Sequence, residues 1–148
     1  IKAKKVVSRL HERIAFKREN FTHQESRSLI NKYQVICIED LEVKRMLNNH
    51  CLAKSISDAS WSSFFNLLQV KAEEAGRVVV KVNPAYTSQD CSNCANREKK
   101  SLSTRQHDCK CCGLSINRDL NASINILRIG LDSLGIKSIE ATWACPVE

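Results

Sequence analysis

The chain has 148 residues, enough for one ordinary domain or one domain with a small insertion, and at 43% hydrophobic residues it can bury a core. Its net charge is +7, and residues 1–34 hold nine Lys/Arg against three Glu, so nearly all the excess sits at one end. Such a segment suits a polyanionic partner, most simply nucleic acid, and equally a solvated helix face that contacts nothing. No signal peptide and no long apolar run is present, which argues against secretion and against a membrane span.

Residues 2–33 read as one helix, with Val7, Leu10, Ile14 and Phe21 at helical steps and Leu29, Ile30 and Tyr33 continuing the apolar side. Val35-Ile36-Cys37-Ile38 is a short apolar run with the look of a strand buried on both faces, as in a parallel sheet, ending in Glu39-Asp40. Residues 42–57 are polar and weakly patterned and read as a loop. Ser57 or Asp58 can cap a helix in which Trp61, Phe64, Phe65, Leu68, Ala72 and Ala75 form the apolar side, with Gly76 as its end. Val78-Val79-Val80 with Val82 is a second strand, closed by Asn83-Pro84. Helix, strand, helix, strand implies a parallel α/β arrangement.

Two Cys-x-x-Cys pairs follow, Cys91/Cys94 and Cys109/Cys112, the second running into Gly113. Each tight turn supplies two thiolates, and the loop between them brings the turns face to face around a tetrahedral zinc ion. Cys111 offers a competing spacing with Cys109, but the Cys-x-x-Cys-Gly knuckle favours Cys112. His107 is a conceivable substitute ligand and reads more simply as an exposed histidine. Cys37 reads as a small buried hydrophobe, whereas Cys51, Cys111 and Cys145 have no evident partners, which fits a reducing compartment. Residues 119–129 return to a helical pattern, with Leu120, Ile124 and Leu127 on one side and Gly130 as the stop; residues 131–148 read as a loose, flexible tail.

Two acids stand out. Glu39 closes an apolar strand, where open parallel sheets place their ligands. Asp119 opens the helix after the cysteine loop. Two such carboxylates brought together can hold magnesium, a hard cation that prefers oxygen ligands. Acids at strand ends and helix N-termini are also common without a metal, because the helix dipole favours them.

The order of these motifs narrows the reading. Val35-Ile36-Cys37-Ile38-Glu39-Asp40-Leu41 precedes Ala53-Lys54-Ser55-Ile56-Ser57-Asp58-Ala59-Ser60-Trp61, then Tyr86-Thr87-Ser88-Gln89, the two cysteine knuckles, and Arg118-Asp119-Leu120-Asn121-Ala122-Ser123-Ile124-Asn125-Ile126. Over about residues 1–130 this succession closely resembles the TnpB (OrfB) proteins of bacterial and archaeal insertion sequences, relatives of the type V CRISPR nucleases that were long described as transposases. The resemblance implies a RuvC-like nuclease domain of RNase H-like α/β fold, residues 1–85 and 116–130, interrupted by a zinc ribbon at 86–115. It implies an RNA-guided, magnesium-dependent DNA endonuclease of the prokaryotic cytosol, with DNA and a guide RNA as partners. It places Glu39 and Asp119 as the second and third catalytic acids and magnesium ligands, and Cys91, Cys94, Cys109 and Cys112 as ligands of a structural zinc. Asn121 and Asn125 share a helix face, for which local hydrogen bonding suffices.

The family's first catalytic Asp, on a strand upstream of the basic helix, has no counterpart, and the expected fold is therefore a partial one lacking its first strands. Two expectations follow: little or no cleavage by this polypeptide alone, and an apolar strand edge left for the missing N-terminal part to cover. The competing reading is a non-catalytic zinc-ribbon module that binds nucleic acid, as in a decayed element.

Overall fold

The computed structural model describes residues 2–51, 53–54, 60–101 and 103–136. The expected caps Ser57 and Asp58, and the tail from residue 137 onward, lie outside them. The chain divides into two compact units, Ile1–Val35 with Glu42–Val79, and Ile36–Leu41 with Val80–Glu148.

The first unit is built on α1 (Lys2–Lys32) and α3 (Trp61–Glu74), with a single turn, α2 (Val43–Met46), where a loop was expected. The C-terminal half of α1 packs against α3 through Ile30, Leu68 and Ala72, all essentially inaccessible. The periodicity missed one member of this interface. Lys71 is buried, yet its ammonium donates to the His23 carbonyl and to Ser26 Oγ, both at 2.7 Å. Those bonds satisfy a charge that would otherwise be costly to bury, and burial lowers the Lys71 pKa. The helix ends as Gly76 suggested. Gly76 has φ +63°, its N–H donates to the Glu73 carbonyl, and the Arg77 N–H donates to the Ala72 carbonyl. These paired bonds consume carbonyls that the last turn leaves free. Ser60, before the first turn, is left-handed and makes no side-chain cap. The first two-thirds of α1 bury little: Val7, Leu10, Ile14 and Phe21 are roughly half exposed or more.

Strands β1 (Val35–Glu39) and β2 (Val78–Val82) pair in a two-stranded sheet. The Val78 N–H donates to the Gln34 carbonyl and the Asp40 N–H to the Val82 carbonyl, so both strands advance together in a parallel pair. Every residue of β1 is half-buried, not fully buried as the apolar run suggested. With one partner strand among the described residues, the other edge of β1 lacks the burial that a central strand receives.

In the second unit, β3 (Gln106–Asp108) and β4 (Ser115–Asn117) form an antiparallel hairpin, with His107 opposite Ile116. It leads directly into α4 (Arg118–Ser133). Asn117 caps α4, its Oδ1 accepting from the N–H groups of Asp119 and Leu120 at 2.8 and 3.3 Å.

Two expectations for α4 are corrected. Gly130 does not end the helix. It lies inside, where a Cβ would sit 2.9 Å from Cys37 Cβ and closer still to Cys37 Sγ. The glycine is there for close approach to β1. The stop is Gly135, φ +71°, where the Gly135 N–H donates to Asp132 and the Ile136 N–H to Leu131. The buried face is also different. Leu120, Ile124 and Leu127 are 53%, 41% and 48% exposed, while Asn121, Ala122, Asn125, Ile126 and Gly130 turn inward. Hydrogen bonds to the cysteine loop, not apolar burial alone, set the rotation of this helix.

Candidate metal centres

Both cysteine knuckles have the same backbone construction. The Cys91 N–H donates to the Asn96 carbonyl and the Ala95 N–H returns to the Cys91 carbonyl; the Cys109 N–H donates to Leu114 and the Gly113 N–H returns to Cys109. In each, the residue after the second cysteine is left-handed, Ala95 at φ 61° and Gly113 at φ 75°. This fold-back turns both thiols and the intervening N–H groups to one side. Glycine announces it in the second knuckle; alanine hides it in the first.

The two knuckles converge. Cys91 Sγ lies 3.6 Å from Cys112 Sγ, Cys94 Sγ lies 3.5 Å from Cys109 Sγ, and all four ligand atoms fall within 4.8 Å of one another. Thiolates around a tetrahedral zinc, with bonds of about 2.3 Å, stand roughly 3.8 Å apart. The donor set therefore fits a soft, tetrahedral cation such as zinc. Cys91 and Cys109 are buried. Burial raises the Cys91 thiol and, with the neighbouring thiols, pushes Cys94 up to about 12. Burial also opposes ionisation of Cys112, but hydrogen bonds from the Leu114 N–H, the Asn93 side chain and the Cys94 and Cys109 thiols together outweigh it and hold Cys112 at about 6. Several adjacent thiolates need a cation to coexist; one is stabilised by its hydrogen bonds.

Cys111 is disulfide-bonded, against the expectation that it had no partner, and so stays outside the ligand set. His107 is fully buried instead of exposed, with its Nδ1 bonded to the Lys100 ammonium. Burial and that neighbouring charge lower its pKa. It serves the core of the hairpin, not the metal.

The first knuckle is anchored on both flanks. Arg97 grips the Asp90 carboxylate through two bonds, Nε–Oδ1 at 2.6 Å and Nη2–Oδ2 at 3.0 Å, and its guanidinium lies 3.7 Å from the Tyr86 ring centroid. This clamp lowers the Asp90 pKa. From the other side, Asn121 and Asn125, 0% and 1% exposed, reach the loop. The Asp90 carbonyl accepts from both side-chain amides at 2.7 Å, Asn125 Nδ2 also donates to the Thr87 carbonyl at 2.8 Å, and Asn121 Oδ1 accepts from the Ser92 N–H at 2.8 Å. Arg128 Nη2 donates to Asn125 Oδ1 at 3.1 Å. A role confined to the helix does not describe these residues. Their spacing of four on one face was the available signal.

The two acids lie at the end of β1 and the start of α4. Glu39 is the last residue of β1 and is half-buried. Asp119 lies in the first turn of α4, 71% exposed, with Arg118 Nε 3.6 Å from its Oδ1. Burial, and after it the negative charge of Asp119, raises the Glu39 pKa above the usual glutamate value. The negative charge of Asp119 thus acts on Glu39 from a different element of the fold.

The family model of the Cas12f1-like TNB domain matches residues 61–126. A putative RNA-guided DNA endonuclease of Streptomyces pristinaespiralis is 39% identical over 132 residues, covering 88% of this chain and 33% of that protein. The putative RNA-guided DNA endonuclease InsQ of Escherichia coli is 32% identical over 145 residues, covering 87% of this chain and 36% of the relative. The CRISPR-associated endodeoxyribonuclease Cas12f1 of Sulfoacidibacillus thermotolerans is also 32% identical over 145 residues, covering 92% and 33%. Among solved structures, a Cas12f1–sgRNA–target DNA complex contains a chain of the same mixed α/β fold, with TM-score 0.64 and 22% identity over 84% of this chain and 37% of that one. The chain spans about a third of the length of these relatives. Motif order, the converging cysteine knuckles and these likenesses agree, and the chain belongs to the TnpB family.

Proposed function

We propose that this chain is the RuvC-like nuclease part, with its zinc ribbon, of a TnpB-type RNA-guided DNA endonuclease. Residues 1–85 and 116–130 form the nuclease part and residues 86–115 the ribbon. The observation that carries this reading is the converging four-cysteine cluster, set in the chain between the β1–β2 strands, of which β1 ends in Glu39, and the helix that Asp119 opens; the charge of Asp119 adds to burial in raising the Glu39 pKa. In this reading Glu39 and Asp119 hold magnesium, and Cys91, Cys94, Cys109 and Cys112 hold a structural zinc.

Magnesium at such a site supplies Lewis-acid activation of water and stabilises the leaving oxygen of a DNA phosphodiester. The chain's own contribution is placement. β1 sets Glu39 at a sheet end, half-buried, so that its carboxylate favours a cation over water. The Asn117 cap fixes the backbone of Asp119 through its N–H, while leaving the carboxylate exposed to a ligand. The basic residues of α1 face solvent and suit a nucleic-acid backbone. The edge of β1 that has no partner strand among the described residues suits pairing with a further strand. Among the described residues no helix is long and apolar enough to cross a membrane.

The exposed basic face of α1 also supports a second reading, a zinc-ribbon module that binds nucleic acid without cutting it. One experiment separates the two: guide-directed DNA cleavage in magnesium by the chain completed with a strand bearing the first Asp. Cleavage abolished by Glu39→Gln and by Asp119→Asn, with nucleic-acid binding retained, supports the nuclease. Cleavage that survives both substitutions refutes the assignment. Salt-dependent binding without cleavage by the completed protein leaves the binding module.

A further inference from the structure

Hydrogen bonds tie the cysteine loop to Asn121, and one turn of helix ties Asn121 to Asp119. Cys91 is bracketed by these bonds: the carbonyl of the preceding residue, Asp90, accepts from both Asn121 and Asn125, and the N–H of the following residue, Ser92, donates to Asn121. Asn121 is two residues from Asp119, in the same first turn of α4. We infer that Asn121 and Asn125 are positioning residues that couple the two centres, so that zinc at the cysteines tightens divalent-cation binding at Glu39 and Asp119.

The argument is one of satisfaction and rigidity. Both amides are buried, and their partners are backbone groups of the knuckle, so each bond demands that the knuckle hold its folded shape. Zinc fixes that shape by cross-linking Cys91 and Cys94 to the second knuckle. Without the metal, the sulfurs of the two knuckles share only the weak Cys91–Cys112 and Cys94–Cys109 contacts, at 3.6 and 3.5 Å. A knuckle that opens withdraws the Asp90 carbonyl and the Ser92 N–H. The inner face of α4 then loses its polar anchor at Asn121, in the turn of Asp119, and the exposed Leu120, Ile124 and Leu127 offer no burial in its place. The Arg97–Asp90 ion pair stiffens the loop side of the joint, and the Arg128–Asn125 bond stiffens the helix side. Linkage makes the effect reciprocal: a cation at the acids must also retain zinc.

The inference rests on the two-carboxylate reading above, and the test keeps them apart. Manganese(II) replaces magnesium as the probe, with affinity read from water-proton relaxation. It is measured on the zinc-loaded chain and after a soft-donor chelator, inert toward manganese, has removed the zinc. Zinc removal should weaken manganese binding about tenfold, within the usual range of coupling between sites. In Asn121→Ala and Asn125→Ala chains that still take up zinc, manganese binding should be weak already and indifferent to zinc. Asn121→Asp, which keeps the acceptor for Ser92 and loses the donor to Asp90, should fall between. A second measurement needs no variant: manganese should slow the loss of zinc from the unaltered chain to the chelator. Equal manganese affinity with and without zinc, or full zinc dependence in the alanine variants, overturns the inference alone. Manganese that fails to bind the zinc-loaded chain, or binds undiminished after Glu39→Gln and Asp119→Asn, overturns the carboxylate reading and the coupling with it.

Discussion

Gly130→Ala should destabilise the chain, although the same exchange in an open helix interior stabilises by about 1 kcal/mol. The added methyl has no room: Cys37 Cβ would be 2.9 Å away, Cys37 Sγ nearer, and Val82 Cγ2 at 3.4 Å. The Cys37 Cβ is fixed to the backbone of β1, so rotation of a side chain cannot clear it. Overpacking of this kind costs roughly 1–3 kcal/mol. A clash with a carbon fixed to the backbone belongs in the upper part of that range, about 2–3 kcal/mol; set against the helix gain, the net loss should be about 1–2 kcal/mol, a fall of roughly 3–6 °C in Tm for a chain of this size. The assay is thermal unfolding of the zinc-loaded protein by circular dichroism, run as a double-mutant cycle with Cys37→Ala. Removing the sulfur should recover part of the loss, so the double variant should be more stable than the sum of the singles. An unchanged or raised Tm for Gly130→Ala, or strict additivity with Cys37→Ala, would refute the claim that Gly130 exists for contact with β1.

Two further outcomes follow from local geometry and charge. Ala95→Gly should stabilise the zinc-loaded ribbon by about 1 kcal/mol, since Ala95 holds a left-handed φ of 61° that glycine adopts without a Cβ penalty; chemical denaturation that gives a lower midpoint would count against it. For Glu39 the folded-state pKa is raised, so its contribution to stability is present below the ordinary glutamate range and is lost as pH rises through the folded value. Glu39→Gln should therefore melt higher than the unaltered chain at neutral pH, converge with it at about pH 4 and below, and lose part of its advantage in saturating magnesium. A glutamine variant that melts lower at neutral pH would show that the carboxylate is not under strain.

Local features were legible from residue order. The length of α1, the strand at Val35, the stop at Gly76 and the two cysteine knuckles depend on neighbours in the chain: periodicity, β-branching, a left-handed residue, a spacing of three. The TnpB resemblance rested on the same motifs and their succession. The features that went astray depend on what packs against an element from elsewhere. Gly130 carries the same chemical signal as a helix stop and as a close-contact site; the approach of Cys37 decided between them. Leu120, Ile124 and Leu127 make a better apolar stripe than the face that is buried, yet the buried face is chosen by Asn121 and Asn125, whose amides satisfy backbone groups of the cysteine loop. Lys71 is buried because a carbonyl and a hydroxyl of α1 await it. His107 is buried because its place in the β3–β4 hairpin turns it inward.

The sequence by itself determined which four cysteines form a candidate metal cluster, because a spacing of three in two tight turns is a local property, and it marked Glu39 and Asp119 as candidate acids only through motif order and the resemblance that order carries. Only the tertiary structure decided that the knuckles meet, that Asp119 bears on Glu39, and that a pair of buried asparagines ties the cysteine loop to the helix of Asp119. Those are relations between residues distant in the chain, fixed by how buried polar groups find partners once water is excluded.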